Sequence, residues 1–183
     1  GMLALMLLTE ARASARVAAS GELVRLGEQD RGAWNRAMID EGISLVDQRV
    51  AAVGRGEGRP GRYQLMAAIA AVHTSAPNVQ DTDWSQVVAL YDQLAAIDAS
   101  PIVALNRAIA IAEVDSPQVG LAVVDRLAGA LDGYHAFHAT RAELLQRLGR
   151  PDEARAAYRR ALALTGNAAE RATLTRRRNE LGG

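Results

Sequence analysis

Several residue groups in this chain have types and spacings that suit chemistry. His135 and His138 lie one helical turn apart, with Asp132 nearby, a spacing able to hold a metal. Metal sites want three or four ligands and no third strong one is near in sequence, so the expectation is helix packing and no metal. The run Gly54-Arg55-Gly56-Glu57-Gly58-Arg59-Pro60-Gly61 is glycine-rich like a phosphate-binding loop. It lacks the Gly-Lys-Ser/Thr ending and a preceding strand, so it reads as a linker between helices. Arg171 and Arg176-Arg177-Arg178 put cations on one terminal segment that suit nucleic-acid phosphates. The formal net charge is zero, which favours a solvated cap instead. No elbow motif frames a nucleophilic serine, and no paired carboxylates stand out. Cysteine is absent, which excludes disulfides, thiolate zinc sites and cysteine nucleophiles. The expectation is a protein that is not an enzyme and uses no cofactor.

Two further groups suit binding. Asp30 is placed to cap a helix, Arg31 to reach outward, and Trp34 to anchor a contact between domains or with a partner. Asn106 and Arg107 fall on one predicted helix and Arg141 on the equivalent helix of the next hairpin. Asn106 either meets a peptide or ties neighbouring helices by amide hydrogen bonds, and the sequence leaves both open. Arginine with asparagine suits a carboxylate or an acidic peptide.

The elements that must position these residues are helices. Half the residues are apolar, alanine is abundant, aromatics are few, and no strictly alternating run suggests a strand. The basic residues are all arginine, which a GC-rich genome explains. The opening run Met2–Leu8 resembles a signal-peptide core. It lacks a preceding positive residue and is short, so it reads as the buried face of a helix over Met2–Ala19. Gly1 before Met2 reads as a tag remnant, and a chain opening mid-pattern as a piece of something longer. No stretch approaches the roughly 20 apolar residues of a membrane helix.

Further helices are predicted from Asp30 as cap to before Gly54, then over Arg62–Ser75, Trp84–Ile97, Ile102–Glu113, Gln118–Ala130, Tyr134–Leu148, Asp152–Leu164 and from Asn167 to about Leu181. Asp83, Ser100, Ser116 and Asn167 stand at cap positions. Trp34, Met38, Ile39, Ile43, Val46 and Val50 should line the inner side of the second helix. Tyr63, Met66, Ile69, Ala70 and His73 should form the stripe of the third.

Three triads, Val87/Tyr91/Leu94, Gly120/Val124/Leu127 and Ala154/Tyr158/Ala161, repeat a small-or-aliphatic, bulky, aliphatic face. Their period of about 34 residues is that of stacked helical hairpins of tetratricopeptide type. Such hairpins bury their faces on one another and expose a groove that binds protein. The expected fold is all-α, a right-handed α-α superhelix of tetratricopeptide-like hairpins. Residues 1–61 would be N-terminal helices, and 62–183 the repeats with a C-terminal capping helix.

The segment Leu148-Gly149-Arg150-Pro151-Asp152-Glu153-Ala154, with Tyr158 and Ala161, resembles the second half of a tetratricopeptide repeat. A second resemblance spans nearly the whole chain. It is carried by Leu3–Leu8 with Arg12 and Arg16, Gly21–Leu26, Asp30-Arg31 with Trp34, Gly61–Leu65 with Ala67–Ala71, Thr82-Asp83-Trp84, Leu90-Tyr91-Asp92, Ser100–Ala108 and Tyr134-His135. Together these resemble the C-terminal extension of a subgroup of bacterial extracytoplasmic-function sigma factors. In that subgroup the stretch before the tryptophan reads Asp-Gln-Asp-Arg, kept here as Gln29-Asp30-Arg31 behind Glu28.

The resemblance implies a regulatory, cytoplasmic domain acting in transcription initiation. Residues 1–61 would then link to the sigma core. The implied partners are the sigma core regions of the same polypeptide, RNA polymerase or a regulatory protein. DNA would be met only through sigma regions outside this chain, which has no helix-turn-helix with a basic recognition helix. A contact with polymerase or sigma regions becomes the functional alternative for the Arg171 and Arg176–Arg178 cations. A stand-alone adaptor and a ligand-sensing domain with a pocket between repeats are the other readings.

Overall fold

Apolar stripes and polar caps divide the chain into helices joined by short connections. The structure is a computed structural model and describes residues 1–182. Among the described residues there are helices and no strand element. They form two compact units. The first comprises Gly1–Val17 and Val24–Ala99. The second comprises Ala18–Leu23 and the chain from Ser100 onward. The division predicted at residue 61 falls inside the first unit, because the helix after it packs on both helices before it.

In the first unit α1 (Met2–Glu10) packs on α2 (Arg36–Gly54) and α3 (Arg62–Ser75), and α3 packs on α4 (Trp84–Ala95). The expected helix to Ala19 stops at Glu10. Two carbonyls that a longer helix would need are taken by other donors. The Asn35 N–H bonds to Ala11 O at 2.8 Å, and the Arg16 guanidinium to Thr9 O at 2.9 Å. Ala13–Ala15 continues as a single 3-10 turn. Asp30 is a cap, but of the 3-10 turn Arg31–Ala33, where it accepts from Gly32 N–H at 2.8 Å. The long helix α2 begins later, capped by Asn35, which accepts from Met38 N–H at 3.1 Å. Leu8, Ala11, Trp34, Ile39 and Ala71 form the core of this unit. Val50 and Tyr63, expected inside, are 63% and 49% exposed. Helix α3 instead buries Leu65, Ala67, Ile69, Ala71 and Thr74, because neighbours on more than one side cover a wide stripe. At α4, Asp83 accepts from Gln86 N–H at 2.9 Å, as predicted.

In the second unit α5 (Pro101–Val114) packs on α6 (Pro117–Asp125). After the single turn α7 (Ala128–Leu131) come α8 (His135–Arg147), which packs on α6, then α9 (Pro151–Leu164) on α8 and α10 (Ala168–Glu180) on α9. Ser100 and Ser116 cap α5 and α6, each followed by proline in the first turn. The helix expected over Gln118–Ala130 breaks at Arg126. A tighter bond from Leu127 N–H to Val124 O ends α6, and Leu131 then turns into the core. Gly120 is required at the α5–α6 crossing. A Cβ there would lie 2.4 Å from Ala112 Cβ and 3.1 Å from Ala108 O. The equivalent Ala154 is fully buried on α9, beside Tyr158 and Ala161. Gly149, with φ of 67°, makes the turn between α8 and α9 that the sequence marks.

Candidate interaction surfaces

The predicted binding residues fall into two sets, one in each unit. The first set sits where α1 unwinds and the chain approaches α2. Asp30 spends its side chain on the Gly32 N–H. Arg31 turns inward rather than outward. Its Nη1 donates to His73 O at 2.8 Å and Ala76 O at 2.6 Å, closing the C-terminal end of α3. Its guanidinium carbon lies 4.6 Å from the centre of the Trp34 ring. Trp34 is only 4% exposed, so a partner cannot reach it without opening the unit. The anchoring role predicted for Trp34 therefore gives way to core packing, because its ring fills the space between α1 and α2.

The ring of His73, on α3, meets Trp84 edge-on at 5.2 Å. Burial first, and then the charges of Arg12 and Arg31, push its pKa down to about 4. Arg12 and Arg31 are themselves held below the ordinary arginine value, mainly by burial. Sequence reading attached no chemistry to Arg12 or His73. Arg12 just beyond α1 and His73 on α3 form no sequence motif, and only packing brings them together.

The second set lies on α5 and α8, which touch each other. Asn106 is exposed and makes no hydrogen bond to another described residue, so it does not tie helices together. Arg107 is half-buried and has partners of its own. Arg141 is paired with Asp125 at 2.7 Å. A neighbouring pair, Arg147 with Glu113 at 2.5 Å, joins α8 to α5. The surface is thus polar, with arginines partly neutralised by acidic neighbours and one free amide.

The remaining sequence candidates meet partners within their own unit. His138 Nε2 lies 2.7 Å from Asp132 O, while His135 faces Glu170 at 3.1 Å, so the two imidazoles diverge. Among the described residues no group of three metal-ligating side chains assembles. Arg171 donates to Leu162 O and Thr165 O, and Arg176 pairs with Glu22 at 3.0 Å and Glu180 at 2.7 Å. These cations close the end of the helix stack. The Gly54–Gly61 run is a connection in which Gly56 and Gly58 take positive φ. A cavity of about 300 Å³ lies in the first unit, lined by Val46, Arg49, Val50, Gln64, Gln86 and Leu90 among others. Among the described residues no helix is long and apolar enough to cross a membrane.

Comparison with known proteins agrees with the hairpin geometry. The tetratricopeptide repeat model matches residues 135–168, which are α8 and α9. The model of a family of unknown function, DUF6596, matches residues 1–50. An uncharacterized protein of Rhizobium meliloti (strain 1021) is 44% identical over 172 residues, covering 94% of this chain. The chain spans 40% of that relative's length. No solved structure matches. The protein is an all-α helical repeat protein with a tetratricopeptide-like hairpin at α8–α9. Repeats of this kind generally mediate protein–protein interaction rather than catalysis.

Proposed function

We propose that this chain is the regulatory part of an extracytoplasmic-function RNA polymerase sigma factor, acting in transcription initiation through protein contacts. The α8–α9 hairpin carries the reading, because it supports a binding role for the repeat that the wider sequence resemblance connects to sigma factors. The greater length of the Rhizobium relative leaves room in that protein for sigma core regions. On this reading residues 1–61 lead to the sigma core, and 62–183 present the repeats. The protein works in the cytoplasm, its partners are the sigma core, RNA polymerase or a regulatory protein, and no separate anti-sigma factor is needed. Asn106, Arg107 and Arg141 contribute to the contact. Asp30 and Arg31 shape the first unit from within. DNA is met only through the sigma regions.

Binding of the chain to RNA polymerase and to the sigma core regions, measured by biolayer interferometry, tests this. Replacing Asn106, Arg107 and Arg141 together by alanine is expected to weaken the contact by about tenfold or more. Deleting the segment from the full protein should alter promoter-specific transcription. No binding to either partner, together with unchanged output and regulation, would count against the proposal. The cavity under α2 favours small-molecule sensing as a second reading. At about 300 Å³ it sits at the small end for ligand pockets.

A further inference from the structure

The cluster where α1 ends holds hydrogen-bond donors and positive charge with almost nothing to receive them. Arg12 is half-buried. Its Nε is shielded from solvent, and its side chain makes no hydrogen bond or ion pair with any described residue. The Asn35 N–H on Ala11 O and the Ser14 hydroxyl on Ala33 O bring its segment beside that of Arg31, and the charges of Arg16 and Arg31 oppose its own. Arg31 has given Nη1 to two carbonyls, and its Nη2 is buried without an acceptor. The indole Nε1 of Trp34, a side chain 4% exposed, is also buried without one. Arg16 reaches only the backbone oxygen of Thr9. The carboxylate acting on Arg31 is Asp81, which is held by Asn78. His73 adds no negative charge.

Buried polar groups are normally satisfied, and a buried charge is normally paired. Arg12 Nε, Arg31 Nη2 and Trp34 Nε1 lie on two segments joined by Asn35 N–H to Ala11 O and by Ser14 Oγ to Ala33 O, both at 2.8 Å, and together they leave a deficit of negative charge and of acceptors. A metal ion would worsen the first and an apolar ligand would leave the second. An oxyanion meets both, and arginine's planar fork matches its geometry. We propose that Arg12, with Arg16 and Arg31, forms a receptor for an oxyanion, a carboxylate or phosphate group brought by a ligand. The site lies wholly in the first unit and does not depend on the partner reading above.

Inorganic phosphate and succinate, each added at constant ionic strength against a sodium chloride control, are the probes. Saturable heat in calorimetry and a raised unfolding temperature are expected with at least one of them. Binding of phosphate alone would mark a phosphate-bearing source, and binding of succinate alone a carboxylate such as an acidic side chain. Arg12→Met keeps the aliphatic stem and removes the charge. It is expected to weaken the anion by about tenfold or more, the loss that one charge-assisted hydrogen bond carries. In chloride alone it should unfold at a higher temperature than the parent, since an unpaired cation is gone. If Arg12→Met does not fold, Arg12→Lys, which lacks the fork, should also bind more weakly. Response to neither anion beyond chloride, or undiminished binding in the Arg12 variant, overturns the proposal.

Discussion

At the scale of single residues, two helical glycines separate packing from propensity. Gly120 lies against the α5 backbone and a Cβ has no room, whereas Gly129 has nothing within 4 Å of its would-be Cβ. Alanine gains about 1 kcal/mol of helix propensity at either place. At Gly120 overpacking of about 1–3 kcal/mol opposes that gain. Urea denaturation should therefore show Gly120→Ala less stable than the parent and Gly129→Ala more stable by about 0.5–1 kcal/mol. A stabilised Gly120→Ala would mean that α5 and α6 stand further apart. The sequence displays Gly120 as the first residue of a repeated triad, and the hairpin geometry explains why it is the smallest. Trp34 shows the opposite case. A tryptophan after a charged pair looks the same in sequence whether it faces a partner or a core, and the close approach of α1, α2 and α3 at Leu8, Ile39 and Ala71 makes it core.

At the scale of elements, α3 carries a pH response. His73 stays neutral in the folded chain, with its pKa depressed to about 4 from 6.5. The unfolded chain takes up that proton first, so stability falls as pH drops from about 6.5 and levels off below about 4. The full effect is on the order of 3 kcal/mol by linkage. Carboxylates titrate in the lower part of this window, so the diagnostic quantity is the difference from His73→Phe, which keeps a ring against Trp84. Denaturation midpoints at pH 7 and pH 5 should fall more for the parent than for His73→Phe. Equal losses would refute a neutral His73. Helix existence was largely legible from caps and apolar spacing, and Ser100, Ser116, Asp83 and Asn167 all act where their positions predict. The end of α1 was not legible, because it is set by donors from Arg16 and Asn35, brought there by packing rather than by local preference.

At the scale of the molecule, chain segments far apart in sequence meet within the second unit. Leu23 N–H donates to Thr173 Oγ1 at 3.0 Å, and the same hydroxyl lies 3.2 Å from Leu23 O. Glu22 adds an ion pair with Arg176, half-exposed and therefore worth little. The threonine side is buried and the contact part-buried, so it should dominate. Thr173→Val keeps the shape of the side chain and removes the hydroxyl. Amide hydrogen exchange at Leu23 should then quicken by about tenfold, with unchanged exchange in the core of α9. Unaltered protection at Leu23 would show that the segment is held by something else. Nothing in the local sequence around Gly21 announces this docking, since its partner is a threonine on the last helix.

The sequence by itself determined the all-helical class, the hairpin period and most helix starts. These depend on residues within a few turns of one another, through backbone propensity, capping and the spacing of apolar faces. Only the tertiary structure decided that α1 ends at Glu10, that Trp34 faces inward, that Leu23 is tied to Thr173, and that Arg12 and Arg31 each bury a donor without an acceptor. Burial and electrostatic neighbourhood depend on which distant segments arrive at a point in space, and a local pattern of residues does not contain that information.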